Sequence, residues 1–159
     1  REAVATIGHI SVFPNSINIT PETVVLDAEI RSYHAECTAR ILQALENAIH
    51  GVEHRRKIRI ERRVTYDNPP VQFAPSVKQA IAEAARVLGF ASLSQVSMAG
   101  HDAAHVGRIA EAGMIFIPCR KGLSHCPEEH TEIEQLVKGA QCLFKALLIL
   151  DQQQKEVTP

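Results

Sequence analysis

Residues 94–131 read SQVSMAGHDAAHVGRIAEAGMIFIPCRKGLSHCPEEHT, and they decide how the rest of the chain is understood. The stretch holds two apolar runs, residues 95–98 and 114–118. Both are short and in part β-branched, which predicts buried strands. A glycine-containing loop with a histidine follows each: Gly100-His101-Asp102 after the first, Gly122-Leu123-Ser124-His125 after the second. Each loop then leads into a helical pattern. Parallel strands in an open α/β sheet share one carboxyl edge, and ligands bind in the crevice there. Two histidine loops leaving that edge would face one pocket.

The second loop lies between a strand end and a helix start, because Thr131 and Glu134 have capping-box spacing. An imidazole held in such a loop suits a zinc ligand. It is equally the description of a surface-loop histidine. In the first loop, His101 and His105 fall at i and i+4 as in the His-Glu-x-x-His zinc protease pattern. The acid between them is Asp102, one methylene shorter than glutamate and placed where a helix start would use it. That spacing therefore speaks against a protease of this kind.

The stretch SMAGHDAAHVGRIAEAGMIFIPCRKGLSHCPEEHT resembles the C-terminal signature of the zinc-dependent amidases of the hydantoinase/carbamoylase family. N-carbamoyl-L-amino-acid hydrolases, β-ureidopropionase and allantoate amidohydrolase belong to it, within the aminoacylase-like zinc exopeptidases. The family pattern runs Ser-Gly-Ala-Gly-His-Asp-Ala, then Met-Ile-Phe-hydrophobic-Pro-Ser-Arg-x-Gly-hydrophobic-Ser-His-Ser-Pro. This chain departs at Met98 for Gly, and at Cys119 and Cys126 for Ser. The swaps are small and keep both imidazoles and the glycine loops.

Composition narrows the alternatives. The 159 residues are 45% hydrophobic and 22% charged, ordinary for a globular protein. With no Trp and 4% aromatics, the core is expected to be aliphatic, built on Ile, Leu, Val and Ala. A net charge of −1 gives no general attraction to nucleic acid or membrane. No apolar run approaches the ~20 residues of a membrane span. Of the four cysteines, Cys37 and Cys142 read as small core residues and Cys119 and Cys126 flank the histidine loop. Without a Cys-x-x-Cys pair they suggest reduced thiols and a cytoplasmic protein. A zinc cluster of Cys119, His125, Cys126 and His130 fits no usual spacing.

Along the chain, residues 4–13 predict a strand, and a turn bounded by Pro14 and Pro21 follows. Residues 23–31 alternate, with Val24, Leu26, Ala28 and Ile30 on a face expected to be buried and Val25, Asp27, Glu29 and Arg31 on the other. A helix is expected over 34–49, stopped by Gly51. The basic run 54–63 keeps a period of two through Ile58, Ile60 and Val64, which predicts a strand with a charged face. It lacks aromatics that would stack bases, so nucleic-acid binding is not expected. Asp67-Asn68-Pro69-Pro70 marks a boundary. A helix over 75–88 points Val77, Ile81, Ala84 and Leu88 inward. A last helix over 132–150 carries an expected core stripe of Ile133, Leu136, Val137, Ala140, Leu143, Phe144 and Leu147, and residues 151–159 form a polar tail that frays.

The resemblance implies an α/β catalytic domain with an inserted α+β lid, part of an aminoacylase-like zinc exopeptidase fold. Residues 1–67 would be the later part of the lid and dimerisation domain, and residues 68–159 the C-terminal part of the catalytic domain. Asn18 and Arg31 would bind substrate, with Gly100 letting the backbone approach it. His125 would ligate one of two divalent metals, zinc or alternatively manganese or cobalt, while His101 and Asp102, the candidate catalytic residues, line the pocket. The implied reaction is hydrolysis of a C–N bond of an N-carbamoyl or ureido acid by a homodimer. The general base and other ligands would lie in a first half outside these residues, leaving this chain alone inactive. Two alternatives stand beside it: an aminoacylase or peptidase-like hydrolase, and a non-catalytic dimerisation module.

Overall fold

The computed structural model describes residues 2–157, the last two by their backbone. Strands β1 (Ala3–Phe13) and β2 (Thr23–Ser32) are followed by helices α1 (Ala35–Arg56), α2 (Pro75–Val87), α3 (Asp102–Val106) and α4 (Ile133–Val157), with a 3₁₀ turn at Arg120–Gly122. The chain divides into two compact units, Arg1–Pro70 with Val96–Met98, and Val71–Gln95 with Ala99–Pro159.

In the first unit β1 and β2 pair antiparallel, with a bulge between Ile7 and His9. The bulge resolves a conflict in the sequence of β1. Ile7 and Ile10 are three residues apart, so strict alternation would send them to opposite faces. One extra residue at Gly8 shifts the register from Ile7↔Ala28 to Ile10↔Leu26. Ala5, Ile7, Ile10 and Val12 thereby share a face with Val24, Leu26, Ala28 and Ile30. Thr6, His9 and Ser11 share the other with Asp27, Glu29 and Arg31. The expectation that the apolar face is buried fails: Val24, Leu26, Ile7 and Ile10 are each more than half exposed, since nothing among the described residues covers them. Ile30 alone of the β2 set is half-buried.

α1 packs on β2 and runs past Gly51, against the expected stop. A helical glycine costs only about 1 kcal/mol against alanine. Beyond it Val52 extends the half-buried stripe of Cys37, Ile41 and Ile49, and His54, Arg55 and Arg56 suit the negative end of the helix dipole. The helix ends at Lys57, left-handed at φ 57°, whose N–H donates to Glu53 O at 2.8 Å.

The basic run is not a strand. It is tied to α1 instead, by Ile60 N–H donating to Glu53 Oε1 at 2.8 Å and by the side-chain pair Arg62–Glu46, while Arg59 pairs with Glu61 within the run. Residues 95–98 and 114–118 likewise join no ladder, and β1–β2 is the sheet formed among the described residues. An extended segment becomes a strand only when a second backbone supplies its hydrogen bonds. The expected parallel strands find none within the described residues.

The second unit is organised by α2 against α4. Pro75 opens α2 at its first turn, where the missing N–H costs nothing. Val77, Ile81 and Leu88 are half-buried and Ala84 fully buried, as the spacing predicts. The buried seam consists of Ala80, Ala84 and Ala85 on α2 and Cys142 and Ala146 on α4. Of the expected Ile, Leu, Val and Ala core, only alanines are fully buried among the described residues, joined by Cys142. The stripe expected to face inward on α4 faces out: Ile133, Leu136, Val137, Leu143, Phe144 and Leu147 are 47–72% exposed and Ala140 is exposed. α4 is apolar around most of its girth, and the alanine face of α2 admits the side with the smallest residues. The helix also continues to Val157 rather than fraying after 150, with a Lys155–Asp151 ion pair at 2.7 Å.

Gly139 lets the second apolar run reach α4. A Cβ there would stand 2.6 Å from Ile117 Cγ2. Overpacking costs about 1–3 kcal/mol, against up to about 1 kcal/mol gained from alanine's helix propensity. Gly139→Ala should therefore lower the denaturation midpoint, and adding Ile117→Ala should remove the clash. Urea denaturation of both single variants and the double variant should show a favourable coupling between the two substitutions.

Candidate functional site

Arg31 lies on the polar face of β2. Its Nη2 is 2.9 Å from Glu29 Oε2, and Nη1 donates to Met98 O at 3.4 Å. Hydrogen bonding and charge from Glu29 push the Arg31 pKa further up, so the guanidinium is a permanent cation. Val4, Thr6, Glu29, Arg31 and Met98 line an open groove of about 270 Å³. Val4 is opposite Arg31, and Thr6 opposite Glu29. The fork has five N–H donors, more than Glu29 and Met98 engage. An anion entering the groove would meet an arginine already held in place.

Asn18 is in the β1–β2 connection, exposed, with its Oδ1 accepting from Ser16 Oγ at 2.8 Å. The connection is closed by Glu22 N–H donating to Phe13 O at 2.9 Å, and Phe13–Pro14 is cis. The Asn18 amide NH₂ offers two further donors.

In the second unit His101 is the N-cap of α3, with extended φ −140° and ψ 146°, and Asp102 is the first helical residue. The two histidines therefore do not share a helix face, which removes the protease-like spacing. The His101 ring, half-buried, stands edge-on to Phe116 at 5.6 Å between centroids, joining the first loop to the second apolar run. Gly100 has no neighbour within 4 Å of where a Cβ would be. Nothing inside the described chain requires glycine there.

His125 is exposed at the tip of a loop fixed at several points. Its backbone is left-handed, φ 58°, as are Lys121 at 57° and Gly122 at 66°. Its N–H donates to Glu129 Oε2 at 2.9 Å. The Cys119 thiol lies 2.9 Å from Leu123 O and 3.3 Å from His130 O, the place of a hydroxyl in the pattern quoted above. Arg120 N–H donates to His130 O at 2.8 Å, closing the base of the loop. Glu132, not Thr131, precedes α4, its carbonyl accepting from Gln135 and Leu136, so the helix starts one residue later than the expected Thr131–Glu134 capping box would have it. The Glu132 carboxylate takes up Arg120 at 3.1 Å and His130 at 3.3 Å.

Among the described residues no group of three His, Cys, Asp or Glu side chains could hold a metal. The Cys119–His125–Cys126–His130 cluster does not form among them. His125 presents an exposed imidazole on this braced loop. Glu129 and Glu132 were not singled out in the sequence as partners of the His125 loop. A glutamate four residues after His125 was the available signal.

The profile of peptidase family M20/M25/M40 matches residues 4–149. The chain is 32% identical over 148 residues to an N-carbamoyl-L-amino-acid amidohydrolase of Paenarthrobacter aurescens, covering 93% of this chain and 36% of the relative. It is 35% identical over 142 residues to the allantoate amidohydrolase of Bacillus subtilis, covering 89% and 34%. A solved amidase of the hydantoinase/carbamoylase family from Burkholderia multivorans superposes with TM-score 0.83 at 31% identity, covering 93% of this chain and 36% of that one. The chain thus spans about a third of the length of the relatives it matches.

The base of the His125 loop carries a pH dependence. Hydrogen bonds from Arg120 and His130 hold the Glu132 carboxyl below its ordinary 4.5. A carboxylate depressed by folding stabilises above its unfolded pKa, and the contribution disappears as pH falls through the folded value. Glu132→Gln should therefore speed amide exchange across residues 119–132 at neutral pH. The difference from wild type should close as the pH falls from the ordinary carboxylate value through the lower value of the folded protein. Exchange mass spectrometry across that range measures it.

Proposed function

The chain belongs to peptidase family M20/M25/M40, and on that footing we propose that it is the C-terminal part of a metal-dependent amidohydrolase acting on an N-carbamoyl or ureido acid. The relatives named above as amidohydrolases of N-carbamoyl-L-amino acids and of allantoate support the reaction class. The observation that carries the reading is the presentation of His125, exposed on a loop whose backbone is pinned at Glu129.

In this reading residues 1–67 are the later part of a lid and dimerisation domain and residues 68–159 return to the catalytic domain. His125 supplies one imidazole to a two-metal site; zinc is favoured by the nitrogen donor, with manganese and cobalt as alternatives. When bound, the metal lowers the pKa of its water and polarises the scissile carbonyl. This chain's own residues bind and orient. The Arg31 guanidinium takes the substrate carboxylate in a two-point grip, and Asn18 donates its amide to the ureido oxygen. His101, held against Phe116, and Asp102 at the start of α3 line the pocket, with Gly100 leaving room for substrate beside the backbone. The exposed apolar face of β1 and β2 is consistent with a homodimer formed through the lid. The four free cysteines suit a cytoplasmic setting.

Two experiments test this. Arg31→Lys in the intact protein removes the two-point grip, a loss of about 1.5–3 kcal/mol for hydrogen bonds to a charged group. It should raise KM for an N-carbamoyl amino acid about 10–100-fold and leave metal content unchanged. An unaltered KM would remove Arg31 from the substrate site, and preference for N-acyl over N-carbamoyl amino acids would favour the aminoacylase alternative. The isolated 159-residue chain should show no turnover of the same substrate, and sustained turnover by it would overturn the division of the site.

A further inference from the structure

We infer that Glu129 is a positioning residue for His125, acting on its backbone rather than on its ring. The inference rests on the reading of His125 as a metal ligand. His125 has φ 58°, a region that only a few per cent of non-glycine residues occupy. A side chain there costs about 1–2 kcal/mol, so the conformation persists only where surrounding structure enforces it. The enforcing contact is the Glu129 carboxylate, which accepts the His125 N–H at 2.9 Å. Glu129 is itself tied down, since its own N–H donates to Cys126 O at 3.0 Å. Pro127 stands between them, with its φ set by the ring. The carboxylate and the turn thus form a closed brace around residues 125–129.

The brace uses the peptide N–H and leaves the imidazole for another partner. Rotation at residue 125 toward ordinary right-handed or extended backbone would swing Cβ and the ring together. A ligand must stay within about 0.5 Å and 10–20° of its productive geometry. A charge-assisted bond to the peptide N–H is a means of holding that tolerance from four residues away.

The test uses zinc alone, titrated into the intact apoprotein in competition with a chromophoric chelator. Glu129→Ala, and Glu129→Met as a variant that keeps the bulk but lacks the acceptor, should each weaken zinc binding about 10–100-fold, the usual effect of losing a group that orients a ligand. Glu129→Gln keeps an acceptor of the same reach and should bind zinc within about threefold of wild type, with its kcat restored in parallel. Wild-type zinc affinity in both Ala and Met variants, or loss in Gln equal to that in Met, would overturn the inference. His125→Ala is the separate control. If it binds zinc as tightly as wild type, the ligand reading fails; if it loses zinc while Glu129→Met does not, the positioning role alone fails.

Discussion

The close approach of α2 and α4 is the constraint on which the second unit depends. It is made by side chains too small to hold the helices apart: three alanines on one and Cys142 and Ala146 on the other. Ile81, Leu88, Phe90, Ile115 and Ile149 pack around this seam. Ile117 approaches α4 over Gly139, and Gly113 similarly gives way to Val77 on α2, where a Cβ would meet Val77 Cγ1 at 2.6 Å. Both ends of the second apolar run are thus seated by missing side chains. The loop bearing His125 leaves one end of that run and enters α4 at Ile133, so its two stems are placed by the same seam.

The first unit solves a different problem. Its hairpin has to keep a polar face bearing Arg31 apart from an apolar face, although β1 changes phase midway. The extra residue at Gly8 absorbs the phase change and puts His9 opposite Asp27, with a 2.9 Å contact between their side chains. Charged residues on the polar face largely neutralise one another locally. Arg31 is held by Glu29 and Met98 and still has N–H donors to spare.

Local periodicity was the legible part. The alternation through Val24, Leu26, Ala28 and Ile30 places those residues on one sheet face, and the spacing of Val77, Ile81, Ala84 and Leu88 gives the inner side of α2. Periodicity failed on α4, where Leu136, Val137 and Phe144 compete with Cys142 and Ala146, and the shape of the neighbouring helix rather than hydrophobicity decided. It also failed for residues 58–64, 95–98 and 114–118, because a strand is a property of two backbones and the pattern reports one. The histidine loops were legible as motifs. The bonds that shape them, from Glu129, Cys119 and Glu132, were not, because each joins residues through a fold that spacing alone does not specify.

Cys142 gives the α2–α4 seam an internal reporter. Its thiol is 6% exposed and close to Ile81 O, and burial pushes its pKa up. Both effects suppress the thiolate, while Cys37, Cys119 and Cys126 remain partly open to solvent. An alkylating reagent therefore meets a fourth sulfur only during excursions in which the two helices separate. The lag between the first three adducts and the last is a clock for that breathing motion.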